Sequence, residues 1–279
     1  MDERVLDSFP GVRPDPRPLA EEPPALNYEM LAAALTLTVV VIAAWIILTR
    51  PQWQIFGTEL GGFERVRLRD GSTALLNTNS EMKVHFTGAR REITLARGEV
   101  LFNVAPDSRR PFDVTAGNTT VRAVGTSFAV RIRPRAQVEV TVSKGFVAIV
   151  ARTSNTQTQS TLSAGEDALI QEGRVYIEPV DADHLEHRLA WTEGRLWFSQ
   201  NSLAEAVSEF NRYNHRQLVI IDATIANLRI GGTFDATDPD AFASAVAQVF
   251  AIDVLPLTKT PSGTEIIRLA GRKSPWPSR

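Results

Sequence analysis

Three hydrophobic patterns follow one another along the chain. From Met30 to Leu48 there is no charged residue, and ten positions are Leu, Ile or Val. From Phe63 to Ile177 apolar and polar residues alternate at period two, interrupted by turn residues, which predicts an all-β unit. From Trp191 onward helical and strand periods mix. The first stretch predicts a membrane helix over 30–48: at 1.5 Å per residue it reaches about 28 Å, close to the hydrocarbon core of a bilayer. On an insertion scale its ten aliphatic side chains contribute on the order of −3 to −6 kcal/mol. Trp45, Arg50 and Trp53 are placed near the far interface, and Ala34 and Thr38 give a small-residue helix-pairing signal. A cleavable secretory signal fits less well, because a basic n-region is missing and no small-x-small site follows Leu48.

Within the β unit, Val66-Arg67-Leu68-Arg69 and Thr73-Ala74-Leu75-Leu76 flank Asp70-Gly71, a pair suited to a two-residue hairpin turn. Similar hairpins are predicted around Arg97-Gly98, Lys144-Gly145 and Glu172-Gly173. Val138, Val140 and Val142 would face the core, with Glu139, Thr141 and Ser143 on the other side. The polar run from Thr153 to Ser163 reads as a loop, and Asp181 to Ala190 as a bridge to the last module. There the pattern predicts β-α-β-β-α-β-β: a strand at Leu196-Trp197-Phe198, then a helix opened by the capping box of Ser202 and Glu205. That helix turns Leu203, Ala206, Val207, Phe210 and Asn214 to one side. Strands follow at 218–221 and 228–234. A second helix starts at Asp238-Pro239 with Phe242, Val246 and Val249 buried, and strands at 252–257 and 264–269 close the module.

Composition narrows the possibilities. The net charge is −2, and residues 1–30 carry three Arg against seven acids, so neither part offers the basic face that nucleic-acid binding needs. The chain has no Cys, which removes disulfides and thiolate metal sites. Asp183, His184, Glu186 and His187 cluster at a spacing that matches no common ligand pattern, so they read as a polar linker. No cofactor is expected. Residues 1–29 hold six of the Pro residues and read as a disordered or extended arm. Nucleophile-elbow, Walker, zinc-helix and dinucleotide motifs are all missing, and enzyme action on another molecule is not expected.

A set of motifs recurs in a fixed order: Leu68-Arg69-Asp70-Gly71-Ser72, Arg91-Glu92-Ile93-Thr94-Leu95 running into Gly98-Glu99-Val100-Leu101-Phe102-Asn103-Val104, Arg110-Pro111-Phe112-Asp113-Val114, and Gly125-Thr126-Ser127-Phe128-Ala129-Val130. Together they resemble the FecR family of anti-sigma regulators. The C-terminal Trp191, Gly194, Leu196 and Phe198, followed by Asn211, Arg212 and Tyr213, resemble that family's C-terminal module, itself similar to the short N-terminal domain of secretins and TonB-dependent receptors. The resemblance implies a mainly β plus α+β architecture: a cytoplasmic arm over 1–29, a single transmembrane helix over 30–48, an all-β periplasmic domain over 52–180, sandwich or solenoid-like, and the small module over 190–272. It implies an inner-membrane protein with a cytoplasmic N-terminus. Such a protein hears the signalling domain of an outer-membrane TonB-dependent receptor and acts on an extracytoplasmic-function sigma factor.

The family's usual helical sigma-binding domain has no room before Leu31. The arm has lost it, the true start lies upstream, or another protein supplies it. The alternative function is an envelope binding or tethering module without sigma-factor control. Trp191, Trp197, Phe198, Phe210 and Tyr213 are candidates for a receptor-facing aromatic surface, with core packing the competing role. At Gly125-Thr126 a hydroxyl follows a residue without a side chain, as an N-to-O acyl shift requires, and some members of the family are self-cleaved at the matching pair. The competing role is a packing glycine beside a strand former. Arg109, Arg110 and the basic stretch 131–135 read as a solvated face.

Overall fold

The computed structural model describes residues 28–48 and 53–272, in two separate units that divide at Pro51. The arm expected before residue 28, and Arg50, lie outside the described residues. In the first unit helix α1 (Tyr28–Leu48) begins two residues before the predicted span. At 21 residues it is about 31 Å long. Its window Tyr28–Trp45 has a mean hydropathy of 1.8 and is fully exposed, so the helix is long and apolar enough to cross a membrane. Thr36 and Thr38 donate their hydroxyls to the carbonyls of Ala32 and Ala34, both at 2.8 Å, which removes two free polar groups from the apolar surface.

The second unit opens with fourteen strands in two sheets. In chain order they are β1 (Gln54–Gly57), β2 (Glu64–Arg67), β3 (Thr73–Leu76), β4 (Glu81–Phe86), β5 (Arg91–Arg97), β6 (Glu99–Asn103) and β7 (Phe112–Ala116). They continue with β8 (Thr119–Ala123), β9 (Ser127–Arg133), β10 (Gln137–Lys144), β11 (Phe146–Arg152), β12 (Gln157–Ser163), β13 (Glu166–Gln171) and β14 (Arg174–Pro179). One sheet runs β1-β4-β5-β7-β8-β11-β12, the other β14-β13-β10-β9-β6-β3-β2. Their inward residues form one cluster, in which Met82, Ile93, Val114, Val121 and Ile149 of the first sheet meet Leu76, Phe102, Phe128, Val140 and Ile170 of the second. The β domain is a sandwich.

The connections differ from the local reading in an instructive way. Glu172-Gly173 does make a tight hairpin, with φ of 50° and 76° between paired Gln171 and Arg174. Asp70-Gly71 lies in a longer loop, 68–72, where only Gly71 has a positive φ, between the paired β2 and β3. Arg97-Gly98 and Lys144-Gly145 are not hairpins: each carries the chain from one sheet to the other. A Cβ on Gly98, at φ +86°, would run into Ser80, and one on Gly145 would come within 2.9 Å of Thr126, so these corners close only around glycine. The polar run 153–163 is not all loop. Its second half is the edge strand β12, paired along β11, with Leu162 as its buried residue.

Three of the four recurring motifs converge on one side chain. Arg91 is fully buried; its Nη1 donates to Asp70 Oδ2 at 2.8 Å and to the Ala105 carbonyl at 2.9 Å, and its Nε donates to the Arg110 carbonyl at 2.8 Å. Asp70 also accepts from the amide and hydroxyl of Ser72, and Phe112 lies under the guanidinium, 5.2 Å away. A buried ion pair survives only when its remaining donors and acceptors are satisfied, which ties the loop after β2 to the start of β5 and the approach to β7.

After the sandwich come α2 (Ala182–Arg188), β15 (Arg195–Ser202), α3 (Leu203–Asn211), β16 (Gln217–Ile220), β17 (Arg229–Asp235), α4 (Pro239–Val249), β18 (Ile252–Lys259) and β19 (Glu265–Gly271). The predicted caps are formed: Ser202 and Glu205 make a reciprocal capping box, and Asp238 accepts from the Ala241 amide. Val249, expected inside, is 75% exposed, and the buried face of α4 is Phe242, Ala243 and Val246. β15 pairs with β17, while β16, β19 and β18 form a second small sheet. Phe198, Phe210, Phe234 and Phe242 pack at its centre, Phe210 on Phe242 at 4.3 Å.

Replacing Asp70 by Ala leaves the Arg91 charge inside without its counter-ion. The unfolding free energy of residues 53–272 is expected to fall by about 3–5 kcal/mol, read as a lower urea midpoint at unchanged slope. A loss below about 1 kcal/mol would contradict the role given to the pair.

Candidate functional site

Strand alternation gives the second sheet two apolar faces over part of its width. Ala74 and Leu76 point into the sandwich, while Leu75 points out and joins the core of the C-terminal module, together with Leu101. The two modules therefore share a compact unit and meet along a seam.

The Asn211-Arg212-Tyr213 run makes that seam. Asn211 serves its own module: its side chain donates to the Leu218 carbonyl at 2.8 Å and accepts from the Leu218 amide at 2.7 Å, fixing α3 to β16. Arg212 reaches out, donating to Glu99 Oε2 at 3.1 Å and contacting Glu209. Glu209 is also held by Arg131 of β9 at 2.8 Å. Tyr213 is buried; its hydroxyl accepts from Asn77 Nδ2 at 2.9 Å, the same group that donates to Glu99 at 2.8 Å, and its ring lies on Phe63. Thr78 adds a hydroxyl to the Arg212 carbonyl at 3.0 Å. Beside this network Arg188, at the end of α2, grips Asp167 at 2.9 Å and Glu139, which Arg133 also approaches at 3.4 Å.

The electrostatics follow from burial. Burial pushes the Glu209 carboxyl up, but Arg212 and Arg131 outweigh it and hold Glu209 below its ordinary value. Burial likewise disfavours the Arg131 and Arg212 charges, yet Glu209 raises both above the usual guanidinium range. Desolvation pushes the Tyr213 phenol up, so it stays protonated. Asp167 is raised, burial exceeding the pull of Arg188.

Next to the seam lies a cleft of about 680 Å³, walled by the outer faces of β6, β9 and β10 on one side and by α3, β15 and the end of α2 on the other. Trp197 is half-buried in its wall, stacked on His187 with the two rings 8° apart. The other four candidate aromatics are buried: Trp191, Phe198 and Phe210 in the module core, Tyr213 in the seam. The five do not form one exposed surface. Arg131, read as part of a solvated face, is turned onto Glu209, whereas Arg109 and Arg135 are exposed. Among the described residues no group of three or more His, Cys, Asp or Glu is arranged for a metal, and Asp181 caps α2 by accepting from the His184 amide.

Gly125-Thr126 sits in the turn between β8 and β9. Gly125 has φ +79°, and a Cβ there would meet Pro106 at 3.2 Å, so the packing role is real. Thr126 is 5% exposed, and its hydroxyl has no hydrogen-bond partner among the described residues.

With Asn77, Thr78 and Glu209, the seam adds residues that the sequence motifs do not single out, and it gives Glu99 and Arg131 partners that those motifs do not indicate. Apart from the i,i+3 pair of Glu209 with Arg212, their partners lie far along the chain, Asn77 from Tyr213 above all.

These features define a sandwich fused to a small α/β module, preceded in sequence by an apolar helix. Residues 55–148, within the sandwich, match the family described as FecR protein. Two crystal structures of a candidate anti-sigma factor from Parabacteroides distasonis ATCC 8503 share the fold, with TM-scores of 0.62 and 0.63 at 21% and 22% identity. They cover 80% and 79% of this chain and 100% of their own length. The sandwich alone is too short to supply that share, so the likeness extends over the C-terminal module. No curated protein matches the chain in sequence.

The sign of the Glu209 shift sets a pH test. A carboxyl whose folded value lies below its ordinary 4.5 contributes stability that is complete above that pH and is lost as pH falls through the folded value. On acidification below pH 4.5 the native chain should lose stability more steeply than Glu209→Gln; parallel curves in urea titrations at each pH would contradict the pairing.

Proposed function

We propose that the chain is a single-pass inner-membrane regulator of cell-surface signalling. Its C-terminal module receives the signalling domain of an outer-membrane TonB-dependent receptor, and the signal passes through the sandwich and α1 toward an extracytoplasmic-function sigma factor. The observation that carries this reading is the FecR-family sandwich joined to the module in one compact unit: what docks on one moves both. The order β15-α3-β16-β17-α4-β18-β19 supports reading the module as the secretin and TonB-receptor type. Sigma-factor contact falls to residues before 28 or to another protein.

A second event belongs to the same reading. We propose that Thr126 cleaves its own chain: Oγ attacks the Gly125 carbonyl carbon, the C–N bond breaks, and the hydroxyl proton ends on the freed Thr126 amine. Water then hydrolyses the ester to a Gly125 carboxylate and restores the hydroxyl. The buried, unpartnered hydroxyl favours this. The halves stay together, because β9 pairs with β6 and β8 with β11 across the break.

A pull-down with residues 52–279 as bait is expected to recover a TonB-dependent receptor's N-terminal domain; recovery of wall polymer or secretion components alone would discard the receptor reading. Intact mass of the purified chain should show a break before Thr126 that Thr126→Ala abolishes and Thr126→Ser retains. A single full-length species removes self-cleavage.

A further inference from the structure

The cleft beside the seam lies within the size range of ligand pockets, and three features decide what it can hold. Four consecutive residues of β15, Arg195 to Phe198, line it. Successive strand side chains point to opposite faces, so a continuous run along one cavity means that the backbone edge faces it. Among the described residues that edge has no strand partner, since β15 pairs there with β17 alone. An unpaired edge is a template for an added strand.

Charge is the second feature. Six arginines and four glutamates line the cleft, a cationic balance in a chain of net charge −2. The inner pair, Arg131 and Arg212, is used by Glu209 and Glu99. At the rim Arg195 is exposed and forms no ion pair among the described residues, and Arg133 holds Glu139 only at 3.4 Å. The third feature is an orphan donor. Trp191 is 4% exposed and lines the cleft, yet its indole N–H has no acceptor among the described residues, a cost that a carbonyl from outside would remove.

We propose that this cleft binds an extended, acidic segment of a partner protein, its main chain added to the free edge of β15 and its carboxylates facing Arg133 and Arg195. The inference rests on the reading that the C-terminal module is the receiving end, and it deepens that reading by naming the surface and the partner's chemistry. The occupant touches both modules at once, so its arrival bears on the seam itself.

The test selects from a random displayed-peptide library on the full chain in detergent micelles. Enriched peptides are expected to carry Asp or Glu at alternating positions. A synthetic copy of the best one should slow amide exchange in Arg195 to Phe198, and the double variant Arg133→Glu, Arg195→Glu should bind it about tenfold more weakly. Enrichment of basic or uncharged peptides, no enrichment, or protection confined to other strands would overturn the proposal. The two proposals fail separately: a receptor domain still captured by the double variant sinks the cleft and leaves the receptor reading standing, whereas acidic peptides bound in β15 without any receptor captured do the reverse.

Discussion

One partly buried guanidinium governs how the sandwich and the C-terminal module sit. Arg212 leaves α3 of the small module and lies between Glu99 of the sandwich and Glu209 of its own helix, with Arg131 closing the square from β9. The two carboxylates and two guanidinium groups, 8–24% exposed, hold one another as a set, and removing one member leaves a partly buried charge without its partner. A sliding contact between the modules would break the set. Leu75 and Leu101 supply the apolar attraction and the ion pairs supply the register.

That arrangement gives a physical meaning to the motifs. The Asp70, Arg91 and Arg110 motifs are spread over the sequence but surround one buried arginine in the sandwich. The Asn211-Arg212-Tyr213 run divides its labour, the first residue facing inward to β16 and the next two outward to the sandwich. The module and the sandwich are one compact unit, and the Gly125-Thr126 turn, between β8 and β9, belongs to it.

Much of the fold was legible locally, and the residues show why. Val138, Val140 and Val142 alternate because one face of β10 is inside, and Ser202 with Glu205, and Asp238 with the Ala241 amide, cap helices across three residues, Pro239 filling the first helical position. Local chemistry also reports a corner at Gly98 and Gly145, but it cannot say to which sheet the chain goes next; both corners cross between sheets where hairpins were predicted. The Gln157–Ser163 strand was hidden because a polar edge strand buries little on either side. Glu139 and Thr141 alternate like solvent-facing residues yet are 7% and 6% exposed, since the cover comes from a module beginning some fifty residues later. The seam stayed invisible for the same reason: its pairs join distant parts of the chain, and charge next to charge in sequence reads as a wet surface until the partner surface is known.

The claim beneath all of this is that sandwich and module form one cooperative body. Calorimetry on residues 53–272 addresses it directly. A single transition is predicted, with calorimetric and van't Hoff enthalpies in agreement; two resolved transitions, one for each module, would contradict it.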